Sequence, residues 1–199
     1  MTLGQILRMV LVLTLFTATW GGILSIVKMA TEDQIQYQHI KKIKAPALRQ
    51  AISISYDNDP IKDRRTIVVG RDKQGNPVEK TLFYAKKNGQ VRAVIFESSA
   101  SGYKDLVGVM LSINVHKGKL DGISITTHSE TPGVGTRAFQ SRSFMRQFTG
   151  QPLNTNFSSQ AGELDAVSGA TYTSNAIMNA VNKGVELYNH HKSKILADS

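Results

Sequence analysis

Asp165-Ala166-Val167-Ser168-Gly169-Ala170-Thr171-Tyr172-Thr173-Ser174-Asn175 is a run of small and hydroxyl-bearing residues near the C-terminus of a 199-residue chain. From Asn175 onward an apolar period sets in, with Ile177, Val181, Val185 and Tyr188 at helical spacing. The stretch therefore reads as a loop feeding a helix, with Thr173 or Ser174 available to cap the first turn. Gly169 can take a positive φ or let the backbone approach a ligand closely. A helix entrance turns unpaired N–H groups and the positive end of the dipole toward whatever sits there, and a phosphate suits it. Taken alone, the same string describes no more than a well-capped helix.

Upstream of it the chain reads as an antiparallel sheet. Thr66 to Val69 and Leu82 to Lys86 are short strands, Asn88-Gly89 is a hairpin signal, and Val91 to Phe96 returns. Leu106 to Val115 and Leu120 to Thr126 form a second hairpin across His116-Lys117-Gly118-Lys119. Alternation of Val107, Val109, Leu111, Ile113 and Val115 places one face of it on a core. Tyr103, in the turn between the hairpins, reads as a packing residue or as a lining residue of a cofactor site.

After the sheet comes His128-Ser129-Glu130-Thr131-Pro132-Gly133-Val134-Gly135-Thr136, where Pro before Gly predicts a type II turn. Gly133-x-Gly135-x-x-Ala138 also has the spelling of a dinucleotide fingerprint, ahead of a predicted helix from Arg137 to Phe148. That fingerprint needs an acid about 20 positions on, and no Asp or Glu occurs between Glu130 and Glu163. A Rossmann site is therefore set aside. Gln151 to Gly162, polar and Ser/Asn-rich, reads as a mobile surface loop, and the residues from His190 as a fraying basic tail.

At the other end, Met9 to Val27 is an uncharged run between Arg8 and Lys28. Its roughly 19 residues are enough to cross a ~30 Å hydrocarbon layer as a helix. It exceeds a usual signal-peptide core and no Ala-x-Ala site follows, so a retained anchor is the preferred reading. Thr14, Thr17 and Thr19 within it can bond back to their own helix. Thr31 to about Ala51 reads as a juxtamembrane helix, with Glu32 and Asp33 in its first turn and a stripe through Ile35, His39 or Ile40, Ile43 and Ala47 or Leu48. Pro46 would interrupt it. A stalk and a docking helix for another protein of a complex remain equal readings of this segment. Lys28, Lys41, Lys42 and Lys44 outnumber the positive charges before the span, which on a simple count would keep the body in the cytoplasm; the rule weakens for long translocated domains.

Composition bounds the chemistry. The formal charge is +9 with a pI near 9.8, which fits an anionic surface or a phosphate-bearing cofactor. Without cysteine, disulfides, thiolate metal sites and Cys-ligated iron–sulfur clusters are excluded. The five histidines show no metal-binding spacing and read as surface residues. The aromatic residues are scattered, which with the anchor argues against a nucleic-acid partner.

Two strings, Asp165-x-x-Ser168-Gly169-Ala170-Thr171 and Glu130-Thr131-Pro132-Gly133-Val134-Gly135, together resemble the FMN-binding domains whose flavin is joined by its phosphate to a threonine. The resemblance covers about Val91 to Asn189. It implies FMN as cofactor, Thr171 as the acceptor, and a magnesium-dependent flavin transferase that supplies the group from FAD. It further implies that Ser168, Gly169, Ala170, Thr173, Thr131, Gly133 and Tyr103 line the cofactor, with Glu130 a modulator of ring potential and no acid, base or nucleophile in turnover. With the anchor included, the layout is most similar to the G subunits of Rnf complexes, which pass electrons between ferredoxin and NAD and couple this to ion movement. That implies a redox component rather than a complete enzyme, held in the inner membrane among other subunits, with its body on the periplasmic side. The C subunit of the sodium-pumping NADH:quinone oxidoreductase, usually longer, and a membrane-anchored module without flavin are the alternatives.

The fold class expected is α+β: a transmembrane helix followed by one antiparallel-sheet FMN-binding domain flanked by helices. The boundaries expected are an anchor over 1–29, a juxtamembrane helix and linker over 30–60, the FMN-binding domain over 61–192 and a tail over 193–199.

Overall fold

The computed structural model describes residues 3–39, 42, 44–160 and 163–197, leaving aside the side chains of 33–39. The chain divides into two compact units, Met1–Lys42 and Ile43–Ser199. The described residues of the first include the helix α1 (Leu3–His39), of which Leu3–Glu32 is long and apolar enough to cross a membrane, with a mean hydropathy of 2.0 and none of it buried. An α-helix that is apolar on every side cannot solvate itself in water, and hydrocarbon is the medium that matches it. Two of the three hydroxyls bond back as expected: Thr17 donates to the Leu13 carbonyl at 3.0 Å and Thr19 to that of Leu15 at 2.7 Å.

The separate juxtamembrane helix expected from Thr31 to Ala51 does not form. Instead α1 runs through Thr31 to His39, so Glu32 and Asp33 lie inside a helix rather than in a first turn. Pro46 starts a second, short helix, α2 (Ala45–Ala51), where its missing N–H costs nothing. The stripe positions Ile40 and Ile43, and the side chains of Ile35 and His39, lie outside the described residues.

The second unit is built on five strands, β1 (Arg64–Arg71), β2 (Pro77–Lys87), β3 (Gln90–Ser101), β4 (Leu106–Asn114) and β5 (Lys119–Thr127), paired antiparallel in chain order. Asn88 and Gly89 both take positive φ, 53° and 74°, as the tight β2–β3 turn requires. Cross-strand partners share a face, so Leu82, Phe96, Leu111 and Ile123 form one row and Phe83, Ile95 and Ser112 another. Over the first row lies a long C-terminal helix, Thr171–Leu196, which packs on β3 and β4 and buries Ile177, Val181, Val185 and Tyr188. Each such side chain taken out of water contributes about 1.5–3 kcal/mol.

The second row is covered too, which alternation alone did not indicate. Helix α2 lies over β4 and β5 with Ala47, Leu48 and Ala51 buried, so β4 is buried on both faces. The choice between stalk and partner-docking helix is thus resolved for these residues in a third way: they dock on their own sheet. This second face is more polar. Asp121 accepts from the Ser53 N–H at 2.7 Å, and the Lys44 ammonium pairs with Glu97 at 2.9 Å while the Thr126 hydroxyl donates to the same carboxylate. Burial pushes the Glu97 carboxyl up, but Thr126, Lys44 and Lys80 outweigh it and hold it below the ordinary range.

Three further expectations need correction. The single helix from Arg137 to Phe148 is two short ones, α3 (Thr136–Gln140) and α4 (Arg142–Arg146), because Ser141 leaves the helical region and caps the second through its hydroxyl, which accepts from Phe144 N–H. The described part of the Gln151–Gly162 loop is pinned rather than mobile. Phe157 is buried and stacks on Phe148, and the Asn182 amide bonds both the N–H and the carbonyl of Phe157 at 3.1 and 2.8 Å. Finally, the described residues from His190 do not fray. The C-terminal helix, α5 (Thr171–Leu196), keeps its form through them, with Ile195 fully buried.

Candidate cofactor site at the start of the C-terminal helix

Helix α5 begins at Thr171, four residues ahead of the onset read from periodicity, and neither Thr173 nor Ser174 caps it. Both lie inside the first turn. The Ser174 hydroxyl donates to the Ala170 carbonyl at 3.0 Å and accepts from Val167 N–H at 3.1 Å, which closes the preceding loop against the helix. Ala170 stands at the cap position with no side-chain oxygen to offer, and the first turn holds no acid. Ser174 N–H is the first to reach a helical carbonyl, that of Ala170 at 2.9 Å. The N–H groups before it lack helical partners at the positive end of a 26-residue dipole.

Four segments meet here. The loop carrying Gly169 (φ 77°) brings its backbone so close to Arg137 that an added Cβ would lie 3.1 Å from the guanidinium. No carboxylate pairs with Arg137 among the described residues. The Pro132-Gly133 turn is of type II as expected: Gly133 has φ 76° and Val134 N–H donates to the Thr131 carbonyl at 3.2 Å. Gly133 N–H is held by the Thr136 hydroxyl at 2.8 Å. The 102–104 turn closes the fourth side.

Glu130 binds these segments together. It is buried, and its carboxylate accepts from the N–H groups of Tyr103 at 2.9 Å and Lys104 at 3.3 Å, and from the Thr173 hydroxyl at 2.9 Å. A Cβ at Gly102 or at Gly135 would run into that carboxylate, which is the physical reason for glycine at both positions. Glu130 and Thr173 therefore form the frame behind the site, with the carboxylate engaged by the Thr173 hydroxyl on one side and by the 102–104 turn on the other.

In front of that frame is a cavity of about 250 Å³ lined by Tyr103, Val134, Gly135, Gly169, Ala170, Thr171, Tyr172 and Thr173. Of the residues singled out from sequence, Tyr103, Gly169, Ala170, Thr171 and Thr173 share this wall. Ser168, Thr131 and Gly133 are exposed beside it, and Glu130 lies beneath. Thr171 is exposed and its hydroxyl makes no hydrogen bond among the described residues. Arg137 and Tyr172 were missed. Tyr172 could have been found, because it falls off the apolar stripe of its helix yet is large and aromatic; Arg137 could not, since only the folded loop carries it to Gly169.

The residues present fit a phosphate-bearing ring compound. Unpaired helix N–H groups and a guanidinium without a carboxylate suit the phosphate, and an unengaged hydroxyl stands among them. A cavity of 250 Å³ is smaller than the ~300–1,000 Å³ of sites that enclose a whole ligand, so much of the compound would remain at the surface.

Fold and site together define an FMN-binding domain, and residues 102–186 match the FMN-binding domain family. Over 194 residues the chain is 30% identical to the G subunit of the ion-translocating oxidoreductase complex of Vibrio vulnificus, spanning 94% of this chain and 90% of that protein. Its counterpart in Pseudomonas aeruginosa is 28% identical over 205 residues, 98% of this chain and 94% of that protein. The chain belongs to this family of G subunits. In fold it is similar to the C subunit of the Na(+)-translocating NADH-quinone reductase of Parabacteroides distasonis, with a TM-score of 0.52 at 16% identity over 78% of this chain and 93% of that one. Shewanella oneidensis NqrC gives 0.50 at 18% identity over 75% and 73%. At such identities these two bear on the fold alone.

Proposed function

We propose that this member of the G-subunit family is the flavin-bearing electron-transfer component of an ion-translocating oxidoreductase complex of the ferredoxin/NAD type, with FMN joined through a phosphoester to Thr171. The observation that carries the reading is an exposed, unengaged threonine hydroxyl at the uncapped start of α5, inside the Asp165-to-Thr171 string. FMN, when bound, exchanges electrons singly or in pairs and so can join different redox partners. The work of the chain is to hold it. The first-turn N–H groups and Arg137 balance the phosphodiester charge, Gly169 keeps the approach open, and the Glu130–Thr173 frame sets the wall. Ser168, Thr131 and Gly133 flank the entrance. A tether compensates for the small cavity, which by itself has little surface with which to retain a ligand.

The maturation partner is a flavin transferase drawing on FAD, and the working partners are other membrane proteins of the complex. The Leu3–Glu32 segment anchors the chain in the inner membrane, and the body lies on its periplasmic side, where no FMN pool replaces a lost cofactor. Protein purified from membranes of cells that possess the transferase should carry the mass of one FMN, and Thr171→Ala should lack it. Unmodified wild-type protein from such cells would overturn the reading. Protease added to intact spheroplasts should digest the body; protection until lysis would place it in the cytoplasm.

A further inference from the structure

The His128–Gln140 segment serves two cavities that share no lining residue. Val134 and Gly135 line the one beside Thr171, and His128 and Phe139 line another of about 490 Å³, walled by α2, β5, α3 and α4. That volume falls within the ~300–1,000 Å³ of sites that enclose a ligand, and no part of the flavin site draws on it. One side of its lining is apolar. Ile125, Phe139 and Met145 pack against the core yet stay half-buried, whereas Phe144, next to Met145 on α4, is fully buried. The other side donates hydrogen bonds. Arg142 is exposed, and no carboxylate pairs with its guanidinium among the described residues. His128 is also exposed, with its ring 4.5 Å from that of Phe139. The buried Ser124 hydroxyl donates to the Gln50 amide oxygen at 3.0 Å, which fixes that oxygen and leaves the amide N–H groups to be matched. Among the described residues no Asp or Glu lines the cavity. The carboxylate that accepts from the lining Thr126, Glu97, is already met by Lys44 at 2.9 Å.

We infer that this cavity is a second ligand site and that it takes an anionic amphiphile, a phosphate or carboxylate joined to an apolar body. A guanidinium presents paired N–H groups that match two oxygens of such a head, and the Gln50 amide and His128 ring add single donors. The apolar body covers Ile125, Phe139 and Met145 and takes them out of water. A bare anion would leave that wall wet, and an uncharged hydrocarbon would leave the donors unmatched, so the two joined fit better than either alone. An anionic phospholipid and a soluble phosphate ester share this chemistry.

The test uses the full chain in phosphatidylcholine nanodiscs, with 1-naphthyl phosphate as the probe in isothermal titration and empty discs subtracted. The probe should fill one saturable site, at least about tenfold more tightly than inorganic phosphate or 1-naphthol. Arg142→Gln, at an exposed position, should weaken binding about tenfold through loss of the charge-assisted pair. Arg146→Gln, one turn along α4 and outside the cavity lining, should leave it unchanged. Phosphatidylglycerol added to the discs should weaken probe binding if the natural occupant is a lipid and leave it unaltered if that occupant is a soluble ester. Equal binding of inorganic phosphate would reduce the cavity to an anion patch, and equal weakening by Arg146→Gln would reduce it to general surface charge. Weakening by Arg137→Gln in place of Arg142→Gln would put the probe at the start of α5. Each of these results, like the absence of saturable binding, would overturn the second site, and none depends on whether Thr171 carries FMN.

Discussion

At its C-terminal end α5 is closed in: Ile195 is fully buried, the Tyr84 hydroxyl donates to the Ile195 carbonyl at 3.0 Å, and Lys194 reaches the Val68 carbonyl at 2.8 Å. At the N-terminal end Thr171 and Tyr172 stand in solvent, no side chain caps the helix, and no acid answers its dipole. One helix thus carries an end finished by packing and an end left open. The difference teaches where to look for chemistry. Groups whose bonding capacity is met inside the protein are committed to the fold, and a site is made of groups that the fold positions but does not satisfy.

Substitutions along α5 can break or sharpen this contrast. The largest effect should come from the packed middle, where Ile177→Ala opens a hole in a fully buried row and should cost about 2–5 kcal/mol in chemical denaturation. Behind the open end, Thr173→Val removes a donor from the buried Glu130 carboxylate. It should destabilise by about 1–3 kcal/mol, and a neutral result would mean that Glu130 is not the frame described. At the closed end, Tyr84→Phe should cost about 0.5–1.5 kcal/mol through the lost bond to the Ile195 carbonyl.

Acid acts elsewhere and serves as a control. Because the Glu97 carboxyl is held below its ordinary 4.5, the folded state binds fewer protons than the unfolded one in that window. The stabilisation is complete above that pH and is lost as pH falls through the lower folded value. For a partly exposed pair the loss should not exceed about 1 kcal/mol, and it should vanish in Glu97→Gln while persisting in the α5 variants. The smallest stability change belongs to Thr171→Ala, within about 0.5 kcal/mol. That near-silence, measured by thermal unfolding of the unmodified protein, is what an end unengaged in packing predicts. A loss above about 2 kcal/mol would show Thr171 to be structural.

Much of the sheet was legible because a strand that sets its large apolar side chains on one face writes its period into the sequence, as β4 does although its other face is covered as well. Val107 to Val115 and the Asn88-Gly89 turn were readable on that ground alone. The site was legible as two strings, one at each side of the cavity, because a backbone that must turn at Gly133 and Gly169 restricts its residues locally. Helix α2 was not, since its short apolar segment, Ala45 to Ala51, follows α1 closely in sequence, and a period carries no address for the surface it meets. The loop to Phe157 was hidden for a related reason. One buried ring and one clamping Asn182 outweigh a polar composition, and neither is visible until the helix that supplies Asn182 is docked.

By itself the sequence determined the apolar first helix, the antiparallel strands, the helical stripe of α5, the two glycine turns and the hydroxyl-rich string that leads into the last helix. All are consequences of contacts between near neighbours or of a repeating period. Only the tertiary structure decided that Glu130 joins the 102–104 turn to Thr173, that Arg137 lies over Gly169, that Tyr103 meets Tyr172, and that α2 covers the second face of the sheet. Those pairings join residues far apart along the chain, and a hydrogen bond or a ring contact depends on distances of a few ångströms that only the closed fold sets.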